Sequence, residues 1–117
     1  PDITASMAKA ASGTLEIVNY LKVTNLARTI QKFKKNNFWV VGFINKTNNS
    51  IATAKLPNKC LFIFGAEGKG LRELTIKECD ETLKIPIKLN TKFGIESLNV
   101  ANACSIALYE FSKLNSN

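Results

Sequence analysis

Not one of the 117 residues is a histidine. Ser-His-Asp and Cys-His catalysis and most histidine metal sites are therefore excluded by inventory. Proton transfer must fall to a carboxylate, Lys, Arg, Tyr, Cys or the substrate itself. Cysteine is nearly as scarce: Cys60, Cys79 and Cys104 never form a CxxC pair, which speaks against a zinc site or a disulfide framework and for reduced, buried thiols. No apolar run reaches membrane-spanning length, and Pro1-Asp2-Ile3 is followed by small and polar residues rather than an apolar block. No membrane partner and a cytoplasmic location are the expectation. Internal repeats, low-complexity tracts and linker-like stretches are also missing, so the chain reads as one domain with a single core.

What is present is an excess of positive charge. Sixteen Lys and Arg against nine Asp and Glu give a net charge of +7 and a pI near 9.5, with Lys34-Lys35 the only adjacent basic pair. A basic surface of this kind fits a polyanionic partner better than a neutral one.

Along the chain, the Ala-rich stretch Ile3 to Ala11 predicts a short helix closed at Ser12-Gly13. Leu15 to Val23 reads as a strand or extended connection. From a cap at Thr24 or Asn25, Leu26, Ala27, Ile30 and Phe33 recur at helical spacing with Arg28, Lys32, Lys34 and Lys35 outside, an amphipathic helix with a basic outer side that ends at Asn36-Asn37. Phe38 to Phe43 is a buried strand. Asn45 to Pro57 is a loop with at most a short strand at Ile51 to Ala54. Leu61 to Phe64 is a buried central strand, Leu71 to Glu78 a short helix, and Thr82 to Ile87 a last strand leading into a polar loop. Ser97 to about Lys113 is a helix with no charge between Ser97 and Tyr109, which predicts burial on most of its circumference, in the core or against another subunit. Strands alternating with helices give the α/β class with a mainly parallel sheet flanked by helices.

The chemistry concentrates at Gly65-Ala66-Glu67-Gly68-Lys69-Gly70, between the central strand and a helix start. Its glycines permit positive φ and close approach of a ligand to the main chain, the place where an open α/β sheet binds a small molecule. The spacing is neither that of a P-loop nor that of a dinucleotide fingerprint, so the turn alone does not name its ligand.

Three segments in order, Phe64 to Leu71, Cys79-Asp80-Glu81 leading to Ile85-Pro86-Ile87, and Glu96-Ser97-Leu98-Asn99-Val100-Ala101, resemble the second and third motifs of the SpoU (TrmH-like) branch of the SPOUT RNA methyltransferases. Lys9 to Glu16, Thr24 to Ala27 and Phe38 to Gly42 are also similar to that family, so the resemblance covers nearly the whole chain. It implies S-adenosylmethionine-dependent methyl transfer to a ribose 2′-hydroxyl of tRNA or rRNA, without a metal. It further implies a C-terminal trefoil knot, which periodicity cannot show, and a homodimer. By matching position, Gly65, Ile85 and Leu98, with Gly70 and Asn99 beside them, would line the donor pocket. Asn99 and Ser97 would orient donor or ribose, and Glu67 would organise the loops or the substrate. The plainer alternatives are that Glu67 favours the positive end of the following helix and that Ser97 is an N-cap.

Three departures stand against the family pattern. Its first motif, Asn-Gly followed by a helical Arg, is not found, and neither Arg28 nor Arg72 lies in that context; the chain thus corresponds to the C-terminal part of a catalytic domain, lacking the family's N-terminal strand-helix-strand. The loop Lys88 to Glu96 is longer than expected, and Ala101-Asn102 replaces a Ser and a small apolar residue. The alternative reading is a truncated, non-catalytic RNA-binding or dimerisation remnant. A generic nucleotide-binding domain is disfavoured by the lack of a phosphate loop.

Overall fold

The computed structural model describes residues 6–12, 15–21, 23–65, 70–85 and 100–114. In chain order these form strands β1 (Ser6–Ser12) and β2 (Leu15–Leu21), helix α1 (Val23–Lys35), strands β3 (Trp39–Phe43) and β4 (Lys59–Phe64), helix α2 (Glu73–Glu78), strand β5 (Glu81–Leu83) and helix α3 (Val100–Leu114). The strands make one sheet in the order β2-β1-β4-β3-β5.

The sheet is mixed, where the sequence predicts a mainly parallel one. β3 pairs in parallel with β4 and β5, whereas β1 is antiparallel to both β2 and β4. The cause lies in the Ala-rich stretch, which is strand β1 rather than a helix. Alanine's helix preference is weak beside pairing on both edges, and Ala8 and Ala10, two apart, point to the same buried face. Only two residues separate β1 from β2, a length that joins antiparallel strands. Ile3 and Gly13 of that predicted helix lie outside the described residues.

Each face of the sheet carries its own apolar cluster. On one side Leu26 and Ile30 of α1 pack with Ala8, Ala10, Val40, Leu61 and Ile63, and Phe33, Phe38, Leu71 and Cys79 close its margin. On the other, Ala107 and Phe111 of α3 and Ile51 of the β3–β4 connection pack with Val41, Phe43, Cys60, Phe62, Phe64 and Leu83. The alternation Val40, Val41 and Leu61, Phe62 across these two clusters is the period-2 signature of strands covered on both faces. In the described part of α3 burial is one-sided, since Tyr109 is 62% exposed.

Local chemistry ends α1 where the sequence predicts. Asn37 takes φ +67, the Phe38 amide donates to the Phe33 carbonyl (3.0 Å), and the Asn37 amide donates to the Lys34 carbonyl (3.1 Å). The Phe33 and Phe38 rings meet edge to face at 4.9 Å, the apolar contact that accompanies this kind of helix stop. Lys59 Nζ donates to the Asn36 carbonyl and lies over the Phe38 ring, tying the stop to the start of β4.

The strand anticipated at Ile51 to Ala54 is a turn instead. The Thr53 amide donates to the Ser50 carbonyl and the Ala52 amide to Ser50 Oγ, so hydrogen bonds that a strand would place on a neighbour are spent locally. Pairing moves one residue back, to a parallel bridge between Ser50 and Lys84. The strand predicted over Thr82 to Ile87 is β5 extended by that bridge, and Pro86 and Ile87 lie outside the described residues.

Candidate functional site

Because β3, β4 and β5 run parallel, their carboxyl ends, Phe43, Phe64 and Leu83, reach one edge of the sheet. The chain then leaves adjacent strands toward opposite faces. After β3 it passes to the α3 side, where Ile51, Ala54 and Leu56 pack. After β4 it passes to the α1 side, where Leu71 and Cys79, flanking α2, pack. Diverging connections at neighbouring parallel strands open a crevice beyond their carboxyl ends, the place where open α/β sheets take ligands.

Gly65 stands directly at the end of β4, at this crevice. A Cβ built on it would collide with the main chain of Gly70, so the turn folds back until two backbones touch. Gly70 has φ +71, left-handed backbone that L side chains rarely adopt. The pair thus presents bare main chain, with peptide N–H and C=O groups.

Ile85 arrives from the opposite flank. It follows β5, half-buried against the cluster that contains Phe43, Phe64 and Leu83. β4 and β5 lie on either side of β3, so the Gly65 and Ile85 ends stand about 10 Å apart, two strand spacings. Gly65, Gly70 and Ile85 are therefore brought to one edge. Glu67, Ser97, Leu98 and Asn99 lie outside the described residues, as does the loop Lys88 to Glu96.

Two further residues position this edge, and the sequence gives neither of them this role. Asp80 exchanges a pair of hydrogen bonds with Val40: the Val40 amide donates to Asp80 Oδ2 and the Asp80 amide donates to the Val40 carbonyl, both at 2.8 Å. Lys34 Nζ stands 3.8 Å from the other carboxylate oxygen. This clamp anchors the segment between α2 and β5 to the amino end of β3 and so sets where β5 begins. Gly42 clears the seat of α2, because a Cβ there would stand 2.7 Å from Cys79 Sγ and 3.2 Å from Leu71 Cδ1. Asp80 belongs to the Cys79-Asp80-Glu81 segment that carries the family resemblance, yet nothing in that segment says what its carboxylate contacts. Only the pairing of elements reveals it.

The two described thiols are held protonated, in line with the expected free, reduced state. Burial, then the Glu81 carboxylate, pushes Cys60 from 9.0 up to about 12. Cys79 is pushed up to about 11, chiefly by burial, with Lys34 lowering it and Asp80 and Glu78 raising it. Cys60 Sγ donates to the Pro57 carbonyl and Cys79 Sγ to the Thr75 carbonyl, which also favours the neutral form. Neither is a nucleophile near neutral pH. A thiol whose folded pKa is raised contributes stability in full below the unfolded pKa, near 9, and loses it as pH climbs through 11 to 12. Iodoacetamide at pH 8 is accordingly expected to leave Cys60 and Cys79 unlabelled in the native protein and to label both in urea. Peptide mapping that found native Cys60 alkylated at the rate of a free thiol would contradict this burial.

Among the described residues no group of three or more potential ligands could hold a metal ion, and no helix is long and apolar enough to cross a membrane.

Residues 2–109 match the model of the SpoU rRNA methylase family. The chain is similar to the 23S rRNA (guanosine-2′-O-)-methyltransferase RlmB of Salmonella typhi, at 37% identity over 108 residues, 92% of this chain and 43% of that protein. The corresponding protein of Vibrio cholerae is 38% identical over 92% of this chain and 42% of its own length, and that of Escherichia coli 36% identical over 92% and 43%. The chain thus spans less than half the length of these relatives.

Proposed function

Since the chain belongs to the SpoU rRNA methylase family, we propose that it works in the transfer of a methyl group from S-adenosylmethionine to a ribose 2′-hydroxyl of RNA, with ribosomal RNA the favoured substrate. The observation that carries this reading is the back-to-back Gly65 and Gly70 main chain at the crevice beyond β3 and β4. Relatives whose names specify methylation of a guanosine 2′-oxygen in 23S rRNA support the choice of acceptor.

The residues present fit such a donor. Adenine and the amino-acid tail can be recognised by peptide groups and an apolar wall, and bare backbone at Gly65 and Gly70 with Ile85 across the crevice offers both. When bound, the donor supplies an electrophilic methyl on a sulfonium. The chain's own work is then to hold the ribose oxygen in line and assist loss of its proton. Leu98 extends the apolar wall, Asn99 and Ser97 orient donor or ribose, and Glu67 organises the loops around the substrate. Cys60 and Cys79 take no part as bases, because burial keeps them protonated. We further propose that the segment before α3 completes the family's trefoil knot and that the chain works as a homodimer, in which the exposed Tyr109 of α3 would find cover.

The test is calorimetric titration of the protein with S-adenosylmethionine and S-adenosylhomocysteine. Saturable binding near one site per chain is expected, and Asn99→Ala should weaken it about tenfold or more, the loss of one or two oriented hydrogen bonds. A folded protein that binds neither ligand would overturn the donor reading. Salt-dependent RNA binding without donor binding would instead identify a non-catalytic RNA-binding chain.

A further inference from the structure

The four cations of α1 are not equivalent. Lys34 is turned toward Asp80. Arg28, Lys32 and Lys35 are exposed, and none of them has a carboxylate partner among the described residues. Their spacing of four and three residues places them within about 60° of one another around the helix, while Leu26, Ile30 and Phe33 cluster on the opposite side. The three cations therefore form a single row diametrically opposite the face that α1 buries in the sheet.

The row has a direction. α1 leads through Asn36-Asn37-Phe38 into the first residue of β3, so its carboxyl end lies at the amino ends of the parallel strands. Its amino end accordingly lies toward the edge that bears Gly65 and Ile85. Arg28 is nearest that edge and Lys35 farthest, about 10 Å further along the helix axis.

The charge is also local. α1 contains no Asp or Glu, whereas α2 carries Glu73 and Glu78 with Lys77, and α3 has Glu110 beside Lys113. Beside the row lies Gln31, whose Nε2 donates to Glu78 Oε2 at 2.7 Å and thereby holds α2 against this flank. Among the described residues no exposed large apolar side chain belongs to α1, where a protein docking face would need an aromatic or aliphatic centre. Its apolar face is already buried, so the helix has none to insert into a lipid surface.

From this we infer that Arg28, Lys32 and Lys35 form a backbone-tracking contact for RNA, which lies along α1 after leaving the crevice. The inference rests on the RNA reading given above and adds to it a named surface outside the donor pocket. The row contacts phosphates and reads no base, so it contributes affinity and register without sequence preference.

The test compares the wild-type protein with the triple variant Arg28→Gln, Lys32→Gln, Lys35→Gln. Affinity for a fluorescent 20-nucleotide oligouridylate is measured from about 50 to 300 mM salt, and S-adenosylhomocysteine binding is measured in parallel. Each phosphate contact on a single strand contributes about 0.7 to the slope of log affinity against log salt, so losing three lowers the slope by about 2 and weakens binding about a hundredfold at 0.1 M salt. The charge-preserving triple Arg28→Lys, Lys32→Arg, Lys35→Arg should retain the wild-type slope. Unchanged S-adenosylhomocysteine affinity and thermal midpoint would show that the glutamine variant is folded. If it is folded and keeps the wild-type slope and affinity, the inference is overturned while the donor reading stands. A wild-type protein that binds the donor but not the oligonucleotide overturns it equally. Failure of donor binding in the wild type bears on the pocket and not on this row.

Discussion

Replacing Gly65 with alanine should weaken donor binding about a hundredfold, whereas the same change at Gly70 should not. At position 65 the added methyl meets the Gly70 main chain, and backbone cannot swing aside as a side chain does. The turn must open, with a cost of the kind seen on overpacking a core, about 1–3 kcal/mol. Opening also displaces the peptide groups proposed to face the donor. Losing two such hydrogen bonds at about 1.4 kcal/mol each weakens binding about a hundredfold. A Cβ at Gly70 meets nothing within 4 Å, so Gly70→Ala bears only the strain of φ +71, on the order of 1 kcal/mol. Titration with S-adenosylhomocysteine alongside thermal unfolding distinguishes the two variants. A folded Gly65→Ala protein with wild-type affinity would remove Gly65 from the pocket.

A second large effect is expected in the core. Phe62 is fully buried on β4 and joins three elements through its ring, meeting Phe43 of β3 edge to face at 5.5 Å and Phe111 of α3 at 5.6 Å. Phe43 in turn stacks on Phe64 at 4.8 Å, one residue from the glycine turn. Phe62→Ala should cost about 3–5 kcal/mol, because α3 and the sheet cannot both close on the space left behind. Domains of this size are stable by only about 5–15 kcal/mol in all, so the variant is expected to be largely unfolded in mild urea. Phe62→Leu, which keeps most of the volume, should cost less than half as much. An equilibrium urea transition shifted by under about 1 kcal/mol for Phe62→Ala would mean that α3 is not seated on the sheet as described.

The site and the core share one edge, and the two variants probe different parts of it. Gly65→Ala leaves the apolar layers intact and alters main chain, whereas Phe62→Ala leaves the turn chemistry intact and removes what holds α3 behind it. Donor affinity should fall in both, but the ratio of lost affinity to lost stability should be larger for the glycine.

Much of this was legible in the chain itself. Helical spacing of Leu26, Ile30 and Phe33 gave α1, and the Asn36-Asn37 pair gave its end, because each signal acts within one or two turns of backbone. Apolar runs gave β3 and β4, and glycine after Phe64 gave the turn. The order of motifs pointed to the family that the comparison finds over residues 2–109.

Tertiary structure alone decided the rest. Ala8 and Ala10 lie in a strand because β2 and β4 pair with β1 on either side, and neither partner is visible in a nine-residue window. That pairing made the sheet mixed. Asp80 became a clamp only when the start of β3 came within hydrogen-bonding reach of a residue 40 positions away. The row of Arg28, Lys32 and Lys35 could be counted from spacing, yet its lack of carboxylate partners among the described residues and its direction along the sheet depend on which elements pack beside α1. Local periodicity reports which side of an element avoids water; which neighbours cover that side, and with what charge, is a property of contacts between residues far apart in the chain.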